Sequence, residues 1–203
     1  MNNILIHCAM EKEADKLVKK LNLKEKVNEN IEKVYEGKIE NTILDLIITG
    51  IGKQKTAIGV TKYLCENKKP DYIINIGYAG STNLEIGKWI SISQSYNLEW
   101  EILGEEKYNM LGINNKLEVI KELESLPCYS AEKFVTKTDI KDSVLFDMEL
   151  YSLTLISNIY NIKLISLKKV SDNLNMDDYY KNIKKENVME LESSLKYIQK
   201  YII

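Results

Sequence analysis

The segments NILIHCAM (3–10), TILDLIIT (42–49) and DYIINIGY (71–78) place apolar, mostly β-branched residues at consecutive positions rather than at alternate ones. Strands of that kind bury both faces, so they need helices above and below the sheet. Helical spacing appears between and after them. The charged run from Glu11 to Leu21 is amphipathic. GIGKQKTAIGVTKYLCENKKP sets Ala57, Val60 or Thr61, and Leu64 on one face, with Pro70 as its stop. DMELYSLTLISNIYNI sets Leu153, Ile156 and Ile159 or Tyr160 on one stripe, and KLISLKKV (163–170) reads as a last strand. The alternation predicts one α/β domain over residues 1–203: a mixed, largely parallel twisted central sheet flanked by helices.

Weaker signals fill the rest. IEKVYEGKIE alternates like a half-exposed strand, and KWISISQS like a more peripheral one. Residues 96–115 lack periodicity and read as a long loop. A short helix is expected near Leu117–Leu123, then a strand at AEKFV. Val188, Leu191, Leu195, Ile198 and Ile202 recur at spacings of three and four, the pattern of an amphipathic closing helix. With two prolines and nine glycines, no linker or domain boundary shows.

Composition excludes several function classes. A net charge of -2 argues against a nucleic-acid surface. All 28 basic residues are lysine, and the chain contains no arginine, the usual bidentate clamp for phosphate and carboxylate. Cys8, Cys65 and Cys128 share no metal-like spacing and the only histidine is His7, so neither a zinc site nor another metal or cofactor is expected. Cys8 and Cys65 lie in apolar segments and read as small core residues of a reducing cytoplasm; His7, mid-strand, reads as a buried, satisfied imidazole. The N-terminus has no basic leader, and no run of about 18 apolar residues offers a membrane span.

In sheets of this type ligands collect at the carboxyl ends of the strands. That rule picks out Glu11 and Glu13 after the first strand, TGIGK after the third and Thr136 after AEKFV. It also picks out GYAGS after DYIINI, and Asp172 in VSDN. Glu149 opens an apolar helix, where the dipole favours an anion. GYAGS reads as a small-residue loop in which Gly77, Ala79 and Gly80 allow close backbone approach. GIGKQK is not a phosphate loop, because Ile47 stands where its first glycine is required and Gln54 where Ser or Thr is required.

CAMEKEADKL, ITGIGKQKTA, PDYIINIGYAGS, FDMEL and KKVSDN occur in the order and roughly the spacing of the purine nucleoside phosphorylase/nucleosidase superfamily. The chain resembles most nearly its methylthioadenosine/S-adenosylhomocysteine nucleosidase branch, from Met1 to about Asn173. The resemblance implies a cytoplasmic homodimer that hydrolyses the N-glycosidic bond of a purine nucleoside. Breaking that bond passes through an oxocarbenium-like sugar, so the base must be protonated and a nucleophile aimed at C1′. By resemblance Asp172 is the general acid, with Ser171 orienting it, and Glu13 activates water. Glu149 holds the ribose hydroxyls and Met148 packs on the sugar. Phe134 stacks on the base, the Val135 backbone reads its edge, and Ile51 lines the pocket of the 5′-substituent. Tyr78, Ala79 and Gly80 form the pocket floor.

Each residue also has a plain structural reading: Glu13 as a solvated helix face, Asp172 as a turn cap, Glu149 as a helix-dipole partner, Phe134 as core. Phosphorylases of the superfamily hold the attacking phosphate with arginine, so the lack of arginine favours water. The chain departs from the family pattern at Tyr78, where a small residue is usual, and at Glu132-Lys133, where Gly-Asp is usual. It departs again after the SD pair, where only Asp177 or Asp178 could supply the usual acid, and in a short stretch between Trp100 and Asp147. The alternatives are a weak or inactive relative that binds a nucleoside as sensor or subunit, and a phosphorylase.

Overall fold

The computed structural model describes residues 2–26, 33–184 and 189–202; Val188, expected on the closing helix, lies outside them. In chain order the elements are β1 (Asn2–Cys8), α1 (Glu11–Lys20), β2 (Lys24–Lys26), β3 (Lys33–Ile39), β4 (Thr42–Ile48), α2 (Lys53–Glu66), β5 (Tyr72–Ser81) and β6 (Trp89–Asn97). There follow β7 (Ser125–Ser130), β8 (Leu145–Asp147), α3 (Leu150–Tyr160), β9 (Lys163–Asp172) and α4 (Met176–Asn182), then a 3₁₀ turn (Leu191–Ser194) leading into α5 (Leu195–Ile202).

Among the described residues nine strands run β2-β3-β4-β1-β5-β8-β7-β6-β9, and β9 returns to pair with β5, so the second half of the sheet closes on itself. β1 lies parallel between β4 and β5, and β5 runs parallel to β9, whereas β3–β4, β5–β8 and β6–β9 are antiparallel. The sheet is mixed, with helices on both faces, as the uninterrupted apolar strands require. In β1, β5 and β9, Leu5, Ile73 and Leu164 join Val60 of α2 and Leu153 and Ile156 of α3 in one core. Ile4, Ile6, Ile74 and Ile165 face the other way, onto Leu17 of α1 and Ile198 and Ile202 of α5.

Several expectations are corrected. GYAGS is not a loop: β5 continues through Ser81, hydrogen-bonded to β9 and then β8, with one register shift between Ala79 and Gly80. KWISISQS is not peripheral, since β6 is flanked by β7 and β9 and buries Trp89, Ile90, Ser91 and Ile92 in succession. No helix forms at 117–123. There the amides of Leu117 and Glu118 bond the carbonyls of Ser93 and Leu164, and that of Ile120 the Ser91 hydroxyl, so the start of the segment bonds sideways to neighbouring strands and not along its own axis. The strand expected at AEKFV is β7, just before it; its Pro127 sits at a register shift, where a missing amide is tolerated. Ala131–Val135 then turns away as irregular chain. Ile159 points to solvent and Tyr160 takes the buried side of α3. The buried side of α2 is Thr56, Gly59, Val60, Tyr63 and Leu64, one step round from the Ala57 stripe. Cys8 is buried as expected, but Cys65 is exposed because it lies on the outer side of α2.

Candidate active site

A cavity of about 340 Å³ opens where the carboxyl ends of β1, β5, β8 and β9 meet. Its lining includes Glu13, Ile51, Tyr78, Ala79, Gly80, Phe134, Met148, Glu149, Ser171 and Asp172, ten of the eleven residues to which the resemblance gives a site role. The eleventh, Val135, packs its side chain with Ala131, Val144 and Phe146. Glu11, Asp177 and Asp178 remain exposed on their helices and do not line the cavity.

Glu13 is the third residue of α1, and only 4% of it is accessible. Its Oε2 accepts the amides of Ala9 and Met10, both at 2.9 Å, closing the helix start onto the end of β1. Its Oε1 accepts the amide of Tyr78 at 3.1 Å. Burial raises the pKa of the carboxyl, opposed by Lys168 and these three amides. A solvated helix face is thereby ruled out.

Asp172 ends β9 and is wholly buried. Ser171 Oγ donates to its Oδ2 at 2.8 Å, and the Asn175 amide to its Oδ1 at 3.2 Å. Burial raises its pKa, and those donors oppose the rise. The strand glycines make room for both carboxylates. A Cβ on Gly77 would stand 2.9 Å from Glu13 Oε1, and one on Gly80 would stand 3.0 Å from Asp172 Oδ1. The GYAG sequence therefore serves side chains that cross the strand, and no turn requires it.

Glu149 precedes α3 without capping it; that task falls to Asp147, whose Oδ2 accepts the Leu150 amide at 3.0 Å. Glu149 Oε1 instead accepts the Gly52 amide at 2.9 Å, from the turn between β4 and α2. Burial, reinforced by the charge of Asp147, pushes its pKa up to about 8. The folded protein thus retains a proton that the unfolded chain, with a glutamate near 4.5, has lost. Stability from this group is complete below about pH 4.5 and falls as pH rises through 8. Glu149→Gln, which can still accept the amide, is expected to raise the melting temperature, and by more at about pH 8 than at about pH 5. Thermal unfolding at both pH values checks this, and an equal shift at both would refute it.

The sequence reading missed Lys168 and the aromatic wall. Lys168 Nζ meets Asp147 Oδ2 at 2.7 Å with both side chains essentially inaccessible. Burial opposes its charge, but Asp147 and Glu149 outweigh that effect and hold the ammonium above its usual range. A lysine in line with Leu164, Ser166 and Val170 on a buried strand was the available signal, since such a charge requires a buried anion. Met176, Tyr179 and Tyr180 reach the cavity from α4, and Tyr179 meets Phe134 edge to face at 5.6 Å. That helix was readable from Asn175 as its N-cap, with Asp177 and Asp178 in the first turn and Lys181 in the last. Glu132, one of the departures, lies 3.7 Å from Lys53, and its amide donates to Glu99 Oε1, fixing the Phe134 loop near the start of α2.

Tyr78 does two things. It lines the cavity and packs against the core on the α1 side of the sheet, while its hydroxyl donates to the Met189 carbonyl at 2.6 Å, pinning the C-terminal segment. His7 lies below the cavity floor, held by Thr49 and Asn75, and burial together with Lys168 lowers its pKa to about 3. Among the described residues no cluster of potential ligands could hold a metal ion, and no helix is long and apolar enough to cross a membrane.

The phosphorylase superfamily model matches residues 3–109, more than half of the chain. Over 57 residues the chain is 49% identical to the 5′-methylthioadenosine/S-adenosylhomocysteine nucleosidase of Haemophilus ducreyi, a match spanning 27% of this chain and 24% of that protein. It is 26% identical to the protein of the same name from Desulfotalea psychrophila, over 82% of each. The fold superposes on the apo 5′-methylthioadenosine nucleosidase of Arabidopsis thaliana with a TM-score of 0.86, at 19% identity and covering 100% of this chain and 96% of that one. The chain belongs to the phosphorylase superfamily and is similar to its methylthioadenosine/S-adenosylhomocysteine nucleosidase branch.

Proposed function

We propose that this chain is an N-glycosidic hydrolase of purine nucleosides, with methylthioadenosine or S-adenosylhomocysteine as the substrate type. The observation that carries the reading is that Glu13, Glu149 and Asp172, from three separate parts of the chain, line one cavity. Asp172 protonates N7 of the base as the C1′–N9 bond breaks. Glu13 takes a proton from the water whose oxygen bonds to C1′. A buried, raised carboxyl suits the acid, because it keeps its proton closer to neutral pH; a raised base binds the water's proton more strongly. Glu149 grips the ribose hydroxyls, Met148 packs on the sugar, and Ser171 orients Asp172. Phe134 stacks on the base and Ile51 borders the 5′-substituent; Val135, outside the lining, supports the Phe134 loop from behind. Tyr78, Ala79 and Gly80 floor the site.

Water is favoured over phosphate because the described lining holds carboxylates and no lysine, and the chain has no arginine. Convergence of the carboxylates likewise favours an enzyme over a mere nucleoside sensor. We further propose a cytoplasmic homodimer. Ile58 of α2 and Ile159 of α3 are 65% and 74% exposed on helices that pack together, an apolar surface that a second copy could cover.

The test is base release from methylthioadenosine, S-adenosylhomocysteine, adenosine and inosine, with and without phosphate. Free base without phosphate is expected; no base from any of them, or ribose-1-phosphate formed only with phosphate, would overturn the reading. Gly77→Ala is expected to push Glu13 from its three amides and lower kcat about tenfold or more, with a folding cost of about 1 kcal/mol. Steady-state kinetics with a melting curve measures both, and an unchanged kcat would remove Glu13 from the mechanism.

A further inference from the structure

Beneath the cavity the sheet carries a polar row that the proposed chemistry does not use. His7, Asn75 and Ser166 are register partners across β1, β5 and β9, all essentially inaccessible. One pair of positions below, Leu5, Ile73 and Leu164 are apolar; one above, Gly77 pairs with Lys168. A fully buried polar row in an otherwise apolar sheet is costly unless every group is satisfied and the arrangement positions something.

The hydrogen bonds run in one direction. Ser166 Oγ donates to Asn75 Oδ1 at 2.8 Å, and Asn75 Nδ2 donates to His7 Nδ1 at 3.0 Å. This assigns the proton of the imidazole to Nε2, which donates to Thr49 Oγ1 at 2.9 Å. The Thr49 hydroxyl then donates to the Gly50 carbonyl at 3.2 Å. Gly50 and Gly52, at φ of +86° and +107°, shape the turn that ends in the amide bound to Glu149 Oε1. The imidazole keeps this tautomer across neutral pH because it stays uncharged.

We propose that His7, with Asn75 and Ser166 behind it, is a positioning residue: it holds Thr49 and the Gly50–Gly52 turn so that the Gly52 amide fixes the Glu149 carboxylate. The proposal rests on the reading that Glu149 grips the ribose hydroxyls only for its kinetic consequence; the positioning itself is tested without substrate.

The test compares wild type, His7→Leu, His7→Gln and Thr49→Val. Hydrogen exchange of the Gly52 amide is followed in the free protein, and KM and kcat are measured with methylthioadenosine. His7→Leu and Thr49→Val are each expected to speed Gly52 exchange about tenfold and to raise KM about tenfold with kcat within a few-fold. His7→Gln, whose carboxamide also offers one acceptor and one donor, is expected to recover much of the loss. Combining His7→Leu with Thr49→Val should add little to either alone, because both break the same chain. Unchanged Gly52 exchange in Thr49→Val, or in a folded His7→Leu protein, would overturn the proposal. If faster exchange came without any change in KM, the positioning would stand and the ribose role of Glu149 would fall.

Discussion

Asp172→Asn is expected to bind methylthioadenosine and to release adenine slower by a factor on the order of 10²–10⁴. The amide matches the carboxylate in shape: its oxygen can still accept the Asn175 amide, and its NH2 can donate to Ser171 Oγ once that hydroxyl turns to the Ala79 carbonyl, so the cavity should stand. What it lacks is a transferable proton. Ser171 cannot replace it, since an aliphatic hydroxyl is far too weakly acidic to hand its proton to the base. Binding measured by calorimetry and adenine release measured on the same sample separate the two effects. Retained binding with lost turnover is the expected pattern, and wild-type turnover would remove Asp172 from the role of general acid.

Lys168→Met is expected to cost about 3–5 kcal/mol, the scale for breaking a buried ion pair from one side. Asp147 would remain inaccessible, still bonded to Ser130 Oγ and the Leu150 amide but without its counter-ion. Glu13 and Glu149 would lose the same cation, which opposes the rise in both of their pKa values. At about 2–4 °C per kcal/mol for a chain of this size, the melting temperature should drop by roughly 10 °C. Adding Asp147→Asn should return much of that loss, because it removes the stranded charge while leaving an acceptor at the start of α3. Thermal unfolding of the single and double variants checks both statements. If the single variant melts within about 1 °C of wild type, the pair does not hold this region together.

The layered architecture follows from a one-dimensional pattern. Consecutive apolar residues such as Ile4 and Leu5 in β1, or Ile73 and Ile74 in β5, bury opposite faces, and that alone demands helices on both sides. Positions just past the strand ends were readable for the same reason, which is why Glu13, Glu149 and Asp172 could be named in advance. Local propensity failed where a segment's backbone partners are remote. Leu117–Leu123 has a helical look, yet its start bonds sideways to β6 and β9. Gly77–Ser81 has the composition of a loop, yet it is strand, because β8 and β9 supply hydrogen bonds along it.

Chain order and residue type thus settled the α/β class, the two buried faces of the central strands and the acidic character of the strand ends. Only the tertiary structure decided that Glu13 is buried by three amides, that Asp147 rather than Glu149 caps α3, and that Lys168 neutralises the floor. It also decided that Tyr78 lines the cavity while anchoring Met189. The physical reason is range. Apolar burial leaves its period in the neighbouring residues, whereas a charge or a hydroxyl is satisfied by partners far along the chain, and no local pattern records which partner that is.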